Sequence, residues 1–201
     1  AGITGLFCHL VLHFSLIEGL LIGAVLSSTD AASVFYVLRS RSLSLQYNTD
    51  SLLEVESGSN DPFAYTLTLI LLSVMQSGSA LSVRGVLTLA AAQLGFGLLT
   101  GALIALAARW FLQFFTFEVN GFDAVFMLAV ALLSYALPTY IGGNGYLSAY
   151  LVGIILGNSP MPNKKGLVNF FDGLTSLMQM MIFFILGLLS FPSRLAAVWL
   201  P

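Results

Sequence analysis

Charged residues are scarce in this chain. Only 8% of its 201 residues are Asp, Glu, Lys or Arg, whereas 58% are apolar. A soluble domain carries about 25% charged residues, so water could not solvate a surface this poor in charge, and the solvent must be lipid. The net charge of −2, without any basic tract, excludes a nucleic-acid partner that would be held through its phosphates.

Cysteine and the usual amino-terminal signals are also lacking. The one cysteine, Cys8, excludes an internal disulfide framework. The chain opens on Ala1 inside an apolar run, with neither an initiator Met nor the basic, apolar and small-residue regions of a signal peptide. It ends at Pro201, just as a further apolar run begins. We therefore expect a segment of a longer membrane protein, with spans missing on both sides.

The sequence contains no motif of an intramembrane enzyme. There is no Gly-x-Ser-x-Gly nucleophile elbow and no His-Glu-x-x-His zinc motif. His9 and His13 are four residues apart and could present two imidazoles to a metal, but the glutamate of a metalloprotease is absent between them, and packing or interfacial roles are favoured. We expect no enzyme activity, no cofactor and no resident metal.

The apolar runs predict an all-α membrane protein with six to seven spans. The run at 83–115 is unusually long, and it could form one tilted helix or a span with an interfacial extension. Three Gly-xxx-Gly pairs, at 19 and 23, 97 and 101, and 153 and 157, are typical of close helix packing in lipid. The predicted helical runs are 2–14, 16–38, 51–75, 83–115, 122–141, 146–156 and 167–191.

Polar residues interrupt the second span. Ser27, Ser28, Thr29 and Asp30 follow one another at mid-membrane depth, which predicts a broken helix, because non-helical backbone is tolerated there only beside protein or a cavity. The amino-terminal end of the second half-helix would carry the positive end of its helix dipole, which the Asp30 carboxylate could compensate. A plain helix-capping role for Asp30 stays open as well.

The third span carries a polar cluster in its first half. Residues three or four apart share one face of a helix. This spacing places Ser57 and Asp61 on one face and Glu56 and Asn60 on an adjoining face. Ionisable groups in a span are costly and indicate a functional site. Glu54, one turn before Ser57, could instead lie among the lipid headgroups, where an acid at a helix start is favourable.

Pro62 and Gly58 add to this cluster. Pro62 has no N–H group, so the Gly58 carbonyl loses its usual helical partner. Gly58 would also let another backbone approach. The expected result is a hydroxyl, a carboxylate and a freed carbonyl around one cavity. These hard oxygen ligands suit a monovalent cation or a proton.

The distribution of basic residues predicts the orientation. If connections alternate sides, five basic residues fall on one side and two on the other, and the richer side should be cytoplasmic. That side would hold the loops at 39–49, 109–121 and 158–166. The two groups are Arg39, Arg41, Arg109, Lys164 and Lys165, against Arg84 and Arg194.

Two motifs carry a family resemblance. Ser-Thr-Asp-Ala-Ala-Ser-Val-Phe at 28–35 and Leu-Glu-Val-Glu-Ser-Gly-Ser-Asn-Asp-Pro-Phe-Ala at 53–64 resemble the monovalent cation:proton antiporters. The chain is most similar to the NhaP-type branch, especially the bacterial potassium/proton antiporters. The stretches 145–157 and 183–189 also resemble later spans of this family, so the resemblance covers nearly the whole chain.

The resemblance implies an architecture. It implies a membrane domain of about 12 to 14 helices with inverted repeats, in which a core domain moves against a dimerising scaffold. Residues 1–80 would belong to the ion-binding core, and residues 81–201 would form a long linking helix and spans that lie in part on the scaffold side. A homodimer in the bacterial inner membrane is expected.

The same resemblance implies roles for the site residues. Asp61 would be the carboxylate that binds either cation or proton, with Ser57 and the Thr29 carbonyl as further cation ligands. Asp30 and Asn60 would hold the broken helix together. Glu56 would pair with an arginine on a later span, which this chain does not show in a recognisable place.

The implied activity is exchange of a monovalent cation for protons, with K⁺ favoured over Na⁺. Asn60 before Asp61 places the chain in the family's Asn-Asp class, which is generally electroneutral. A cation channel or gated efflux system that uses the same cavity is the alternative.

Overall fold

The protein is helical throughout its described part. The computed structural model describes residues 1–29, 45–76, 83–115, 121–161 and 163–191. Over these ranges there are seven α-helices and no strand, which confirms the all-α expectation. A 3₁₀ turn at Gln46–Asn48 leads into the third helix. The helices are α1 (Gly2–Val11), α2 (Leu16–Val25), α3 (Thr49–Gln76), α4 (Val83–Phe114), α5 (Phe122–Tyr140), α6 (Gly145–Gly157) and α7 (Lys164–Leu189).

Three helices in the described part are long and apolar enough to cross a membrane, namely α4, α5 and α7. α3 is also long, at 28 residues, but carries the polar cluster. α1, α2 and α6 are shorter apolar helices. Large apolar side chains stand exposed along the helices, as with Met180 and Phe184, each 68% exposed. This is the pattern of a protein whose solvent is lipid.

α1 and α2 form a closely packed hairpin. Ser15 caps α2: its hydroxyl oxygen accepts a hydrogen bond from the Glu18 N–H at 3.3 Å, and the Glu18 carboxylate accepts one from the Ser15 N–H at 3.1 Å. This reciprocal pair is a capping box. A Cβ added at Gly19 would lie 2.6 Å from the Gly5 carbonyl oxygen, so glycine is needed for the two helices to approach.

α4 is one continuous helix of 32 residues, so the long apolar run forms a single helix. It packs against α5 and α6. Small residues on α4 let these helices come close, and side chains of α5 and α6 complete the core. The core residues shared by the three helices are Ala105, Ala108, Val130, Val152 and Leu156.

The glycine pairs differ in what they contact. A Cβ at Gly97 would lie 2.8 Å from the Asn144 carbonyl oxygen, and one at Gly101 would lie 2.9 Å from that of Ser148. These two glycines therefore hold α4 against α6, as predicted. The prediction for Gly153 and Gly157 was wrong within the described part of the chain, because nothing there lies within 4 Å of an added Cβ.

Gly97→Ala is expected to lower the stability of the complete protein, whereas Gly95→Ala is not. The added methyl at Gly97 meets backbone that must move, and such overpacking costs about 1–3 kcal/mol. An added methyl at Gly95 meets nothing within 4 Å, and the better helix propensity of Ala is worth up to about 1 kcal/mol. Thermal unfolding in detergent should show a lower midpoint for Gly97→Ala alone. Equal midpoints for the two variants would contradict the packing described above.

Several predicted boundaries shift in the structure. α1 ends at Val11 rather than at residue 14. α7 begins at Lys164, three residues before its predicted start, because Asn163 adopts a left-handed conformation (φ 53°) that ends the preceding loop. The Lys164 ammonium then donates to the Gly157 carbonyl at 2.5 Å. The loop predicted at 158–166 is therefore shorter, and the one predicted at 39–49 gives way to helix at Thr49. The loop predicted at 109–121 was wrong over its first part, because α4 continues as a helix to Phe114.

Candidate cation site

The end of α2 lies against the polar cluster of α3. α2 stops at Val25, and the Ser27 hydroxyl donates to the Ala24 carbonyl at 2.7 Å as the chain leaves the helix. The described part thus contains α2, which corresponds to the first half of the expected broken helix, and the four residues that follow it up to Thr29. Asp30 and the predicted second half-helix lie outside the described residues, so the role expected of Asp30 stays a prediction.

Thr29 is bound to α3 through its backbone. The Ser57 hydroxyl, in a residue only 8% exposed, donates to the Thr29 carbonyl at 2.6 Å. The Thr29 N–H points to the Asn60 side-chain oxygen at 3.5 Å, a long contact. The two oxygens proposed as further cation ligands, Ser57 Oγ and Thr29 O, therefore lie side by side.

Glu56 and Asn60 complete this contact through their side chains. The Asn60 amide donates to the Thr29 hydroxyl at 2.5 Å and to Glu56 Oε1 at 2.8 Å. The Thr29 hydroxyl in turn donates to Glu56 Oε2 at 3.0 Å. Glu56 and Asn60 thus share a helix face, as their four-residue spacing indicated. Both Glu56 oxygens accept hydrogen bonds here, while the arginine partner expected from the family stays a prediction.

Asp61, which follows Asn60 in the chain, lines a cavity. The Ser28 hydroxyl donates a short hydrogen bond to Asp61 Oδ1, which joins the carboxylate to the end of α2. The cavity has a volume of about 330 Å³. Ser57 does not line it, although the sequence placed Ser57 and Asp61 around one cavity. The lining residues are Val25, Ser28, Asp61, Ala64, Tyr65, Thr68 and Tyr146.

Helical periodicity could have identified part of this lining. Ala64, Tyr65 and Thr68 follow Asp61 by three, four and seven residues, so they continue its face of α3. Ser28 belongs to the polar run that was already singled out. Tyr146 comes from α6, far along the chain, and no local pattern connects it with Asp61.

Gly58 accommodates an aromatic ring rather than the backbone expected there. A Cβ at Gly58 would lie 2.5 Å from Cε2 of Tyr150 on α6. The Tyr150 hydroxyl points to the Val55 carbonyl at 3.5 Å. Pro62 sits within α3, which continues through it as a helix, and its side chain is fully buried.

Asn144, which was not among the predicted site residues, joins α6 to α3 beside Asp61. Its side chain is fully buried, and its amide donates to the Pro62 carbonyl and to the Thr66 hydroxyl, both at 2.8 Å. Its side-chain oxygen caps α6 by accepting from the Leu147 N–H at 3.0 Å. The position of an Asn before an apolar helix could have indicated the cap. No pattern in the sequence predicted the two hydrogen bonds from the Asn144 side chain to α3.

The two histidines do not lie on one face of a helix. α1 has ended before His13, whose φ of 57° is left-handed, so His9 and His13 do not share a helix face. His9 Nδ1 lies 2.8 Å from the Phe14 carbonyl oxygen, to which its N–H donates. No group of three or more His, Cys, Asp or Glu side chains occurs among the residues that the structure describes.

Curated relatives match all or most of the chain. It is 39% identical over 204 residues to the K⁺/H⁺ antiporter NhaP2 of Shewanella oneidensis, covering 100% of this chain and 34% of that protein. It is 37% identical to the K⁺/H⁺ antiporter NhaP of Alkalimonas amylolytica, covering 99% of this chain and 34% of that one. A probable Na⁺/H⁺ antiporter of Methanocaldococcus jannaschii is 26% identical, covering 92% of this chain and 46% of its own length.

The chain thus spans about a third of the length of the two K⁺/H⁺ antiporters that it matches. The family model described as "Sodium/hydrogen exchanger, transmembrane" matches residues 1–201. The expected resemblance is confirmed over the whole chain. This chain, with its polar α3 packed against the end of α2, belongs to the transmembrane sodium/hydrogen exchanger family.

Proposed function

We propose that the complete protein is a secondary antiporter that exchanges a monovalent cation for protons, with K⁺ preferred to Na⁺. One observation carries the proposal: the Asp61 carboxylate opens onto a cavity while Ser28 joins it to the end of α2. The names of the relatives support the exchange, and those of the bacterial relatives support K⁺ as the cation.

Asp61 is the shared binding group in this proposal. Its ionised carboxylate binds the cation, and its neutral form carries the proton. Because both compete for one group, loading with one requires release of the other, and alternating access converts this competition into exchange. The occupied carboxylate has the same net charge with K⁺ as with a proton. Exchange of one cation for one proton would therefore be electroneutral.

The remaining site residues have two proposed tasks. Ser57 and the Thr29 carbonyl, which share a hydrogen bond at 2.6 Å, supply further oxygen ligands to the cation. Asn60 and Glu56 hold Thr29 in place, since both bond to its hydroxyl. Asp30 stabilises the second half of the broken helix.

The architecture expected from the family belongs to the same proposal. Residues 1–80 form part of the moving core, and residues 81–201 lead into the scaffold and dimer side. The protein is a homodimer in the bacterial inner membrane. Its cytoplasmic face carries the connections within 39–49, 109–121 and 158–166, where five of the seven basic residues lie.

Transport by the complete protein in everted membrane vesicles tests this function. We expect saturable proton movement that is driven by K⁺, Na⁺ or Rb⁺, that is fastest with K⁺, and that reverses with the imposed pH gradient. An added membrane potential should leave the rate unchanged, because the exchange is electroneutral. Cation flux without coupled proton movement would contradict antiport and support a channel that uses the same cavity.

A further inference from the structure

We propose that Tyr146 is a specificity-determining residue of the cation site, whose ring limits the size of the cation that can occupy the cavity beside Asp61. The inference rests on the proposed antiport and extends it to the choice among monovalent cations. It concerns a residue on α6, outside the two polar segments that the family motifs mark.

Tyr146 forms a separate wall of the cavity. Val25 and Ser28 come from the end of α2, and Asp61, Ala64, Tyr65 and Thr68 come from one face of α3. Among the described lining residues, Tyr146 alone comes from any other element. Its ring therefore helps to set the width of the space between α3 and α6.

Two neighbouring rings hold Tyr146 in place. The Tyr65 ring of α3 meets it edge-on, with centroids 4.9 Å apart and planes at 67°. The Tyr135 ring of α5 meets it similarly, at 5.1 Å and 76°. These are the preferred edge-to-face geometries of aromatic pairs. A ring fixed from two sides acts as a rigid wall, which a flexible side chain could not provide.

The backbone of Tyr146 is also anchored beside the site. Asn144, two residues earlier, bonds to the Pro62 carbonyl, and Pro62 follows Asp61 directly. One turn beyond Tyr146, the Tyr150 ring packs on Gly58 of α3. The start of α6 is thus held against α3 both before and after Tyr146.

A rigid wall is needed because the ligand atoms alone do not discriminate. Carboxylate and hydroxyl oxygens bind Na⁺, K⁺ and Rb⁺ with the same type of contact, so selection depends on the size of the space and on the field that the ligands create. An aromatic face also attracts a nearby cation electrostatically. Loss of the Tyr146 ring should therefore weaken the preference among Na⁺, K⁺ and Rb⁺. Exchange itself should continue, because the Asp61 carboxylate is still present.

The test compares cation preference in the complete protein. Rates in everted vesicles would give kcat and KM for Na⁺, K⁺ and Rb⁺ in the wild type, Tyr146→Ala, Tyr146→Phe and Tyr140→Ala. Tyr140 is the matched control, because it is 90% exposed at the end of α5 and does not line the cavity. We expect Tyr146→Ala to raise the Rb⁺/K⁺ ratio of kcat/KM by about threefold to tenfold, mainly through KM. Tyr146→Phe and Tyr140→Ala should keep the wild-type ratio.

A larger ring provides a second test that does not depend on the alanine variant folding. Tyr146→Trp should lower the Rb⁺/K⁺ ratio, because it narrows the cavity. Suppose that the wild type is active and that at least one of the variants Tyr146→Ala and Tyr146→Trp folds. If the Rb⁺/K⁺ ratio of kcat/KM in the folded variant equals that of the wild type, the role of Tyr146 is overturned and antiport stands. If the wild type shows no proton movement coupled to a cation, both the proposed antiport and the role of Tyr146 are overturned.

Discussion

Replacing Asp61 by Asn in the complete protein is expected to abolish cation/proton exchange. Asparagine has nearly the shape of aspartate but does not ionise, so it can neither carry a proton nor balance the charge of a cation. Proton movement driven by K⁺ in everted vesicles should fall to the level of vesicles without the protein. This is the largest effect that we expect from any single substitution in the chain.

The fold should survive Asp61→Asn. The side-chain oxygen of Asn can still accept the hydrogen bond from the Ser28 hydroxyl, and Asp61 lies at an exposed position beside the cavity. Substitutions of this kind usually change stability by less than about 0.5 kcal/mol. The protein should therefore insert, purify and unfold thermally like the wild type, which separates loss of exchange from loss of structure.

Asp123→Asn is the matched control for Asp61→Asn. Asp123, in the first turn of α5, accepts a hydrogen bond from the Asn163 side chain at 2.9 Å and does not line the cavity beside Asp61. Its substitution removes the same charge and should preserve exchange. Measurable cation-driven proton flux in Asp61→Asn would show that another group carries the proton.

Replacing Asn144 by Ala is expected to produce the largest loss of stability. The change removes the cap of α6, worth about 1 kcal/mol, and both hydrogen bonds to α3. Buried groups that lose a partner cost about 1–3 kcal/mol. We expect a total loss of about 2–4 kcal/mol, seen as a clearly lower midpoint of thermal unfolding in detergent.

Asn158→Ala provides a control at the opposite end of α6. The Asn158 side chain is exposed and donates to the Ile154 carbonyl within its own helix region, so its loss should change stability little. Asn144→Ser separates the two parts of the effect, because serine can keep the cap while its short side chain loses the two donated hydrogen bonds. A midpoint for Asn144→Ala that equals that of Asn158→Ala would contradict the anchoring role.

Local sequence patterns predicted much of the helical framework. The apolar runs located every described helix to within a few residues at each end, apart from the second run, which the structure describes only up to Thr29. The shared face of Glu56 and Asn60 was also predicted. These features depend on residues within one turn of each other, where helical geometry relates spacing directly to position. The polar run at 27–30 likewise indicated where α2 would end.

Contacts between helices decided the rest. The Asn144 side chain and the Pro62 carbonyl are 82 residues apart, and Tyr146 lies still farther from Asp61 in the chain. The packing of α6 on α3 also showed that Gly58 faces a ring and that Gly153 and Gly157 have no close described neighbour. The sequence by itself determined the helices, the end of α2 near the polar run and the polar faces of α3, because these follow from local chemistry. Only the tertiary structure decided which side chains enclose Asp61, because that depends on how separate helices pack.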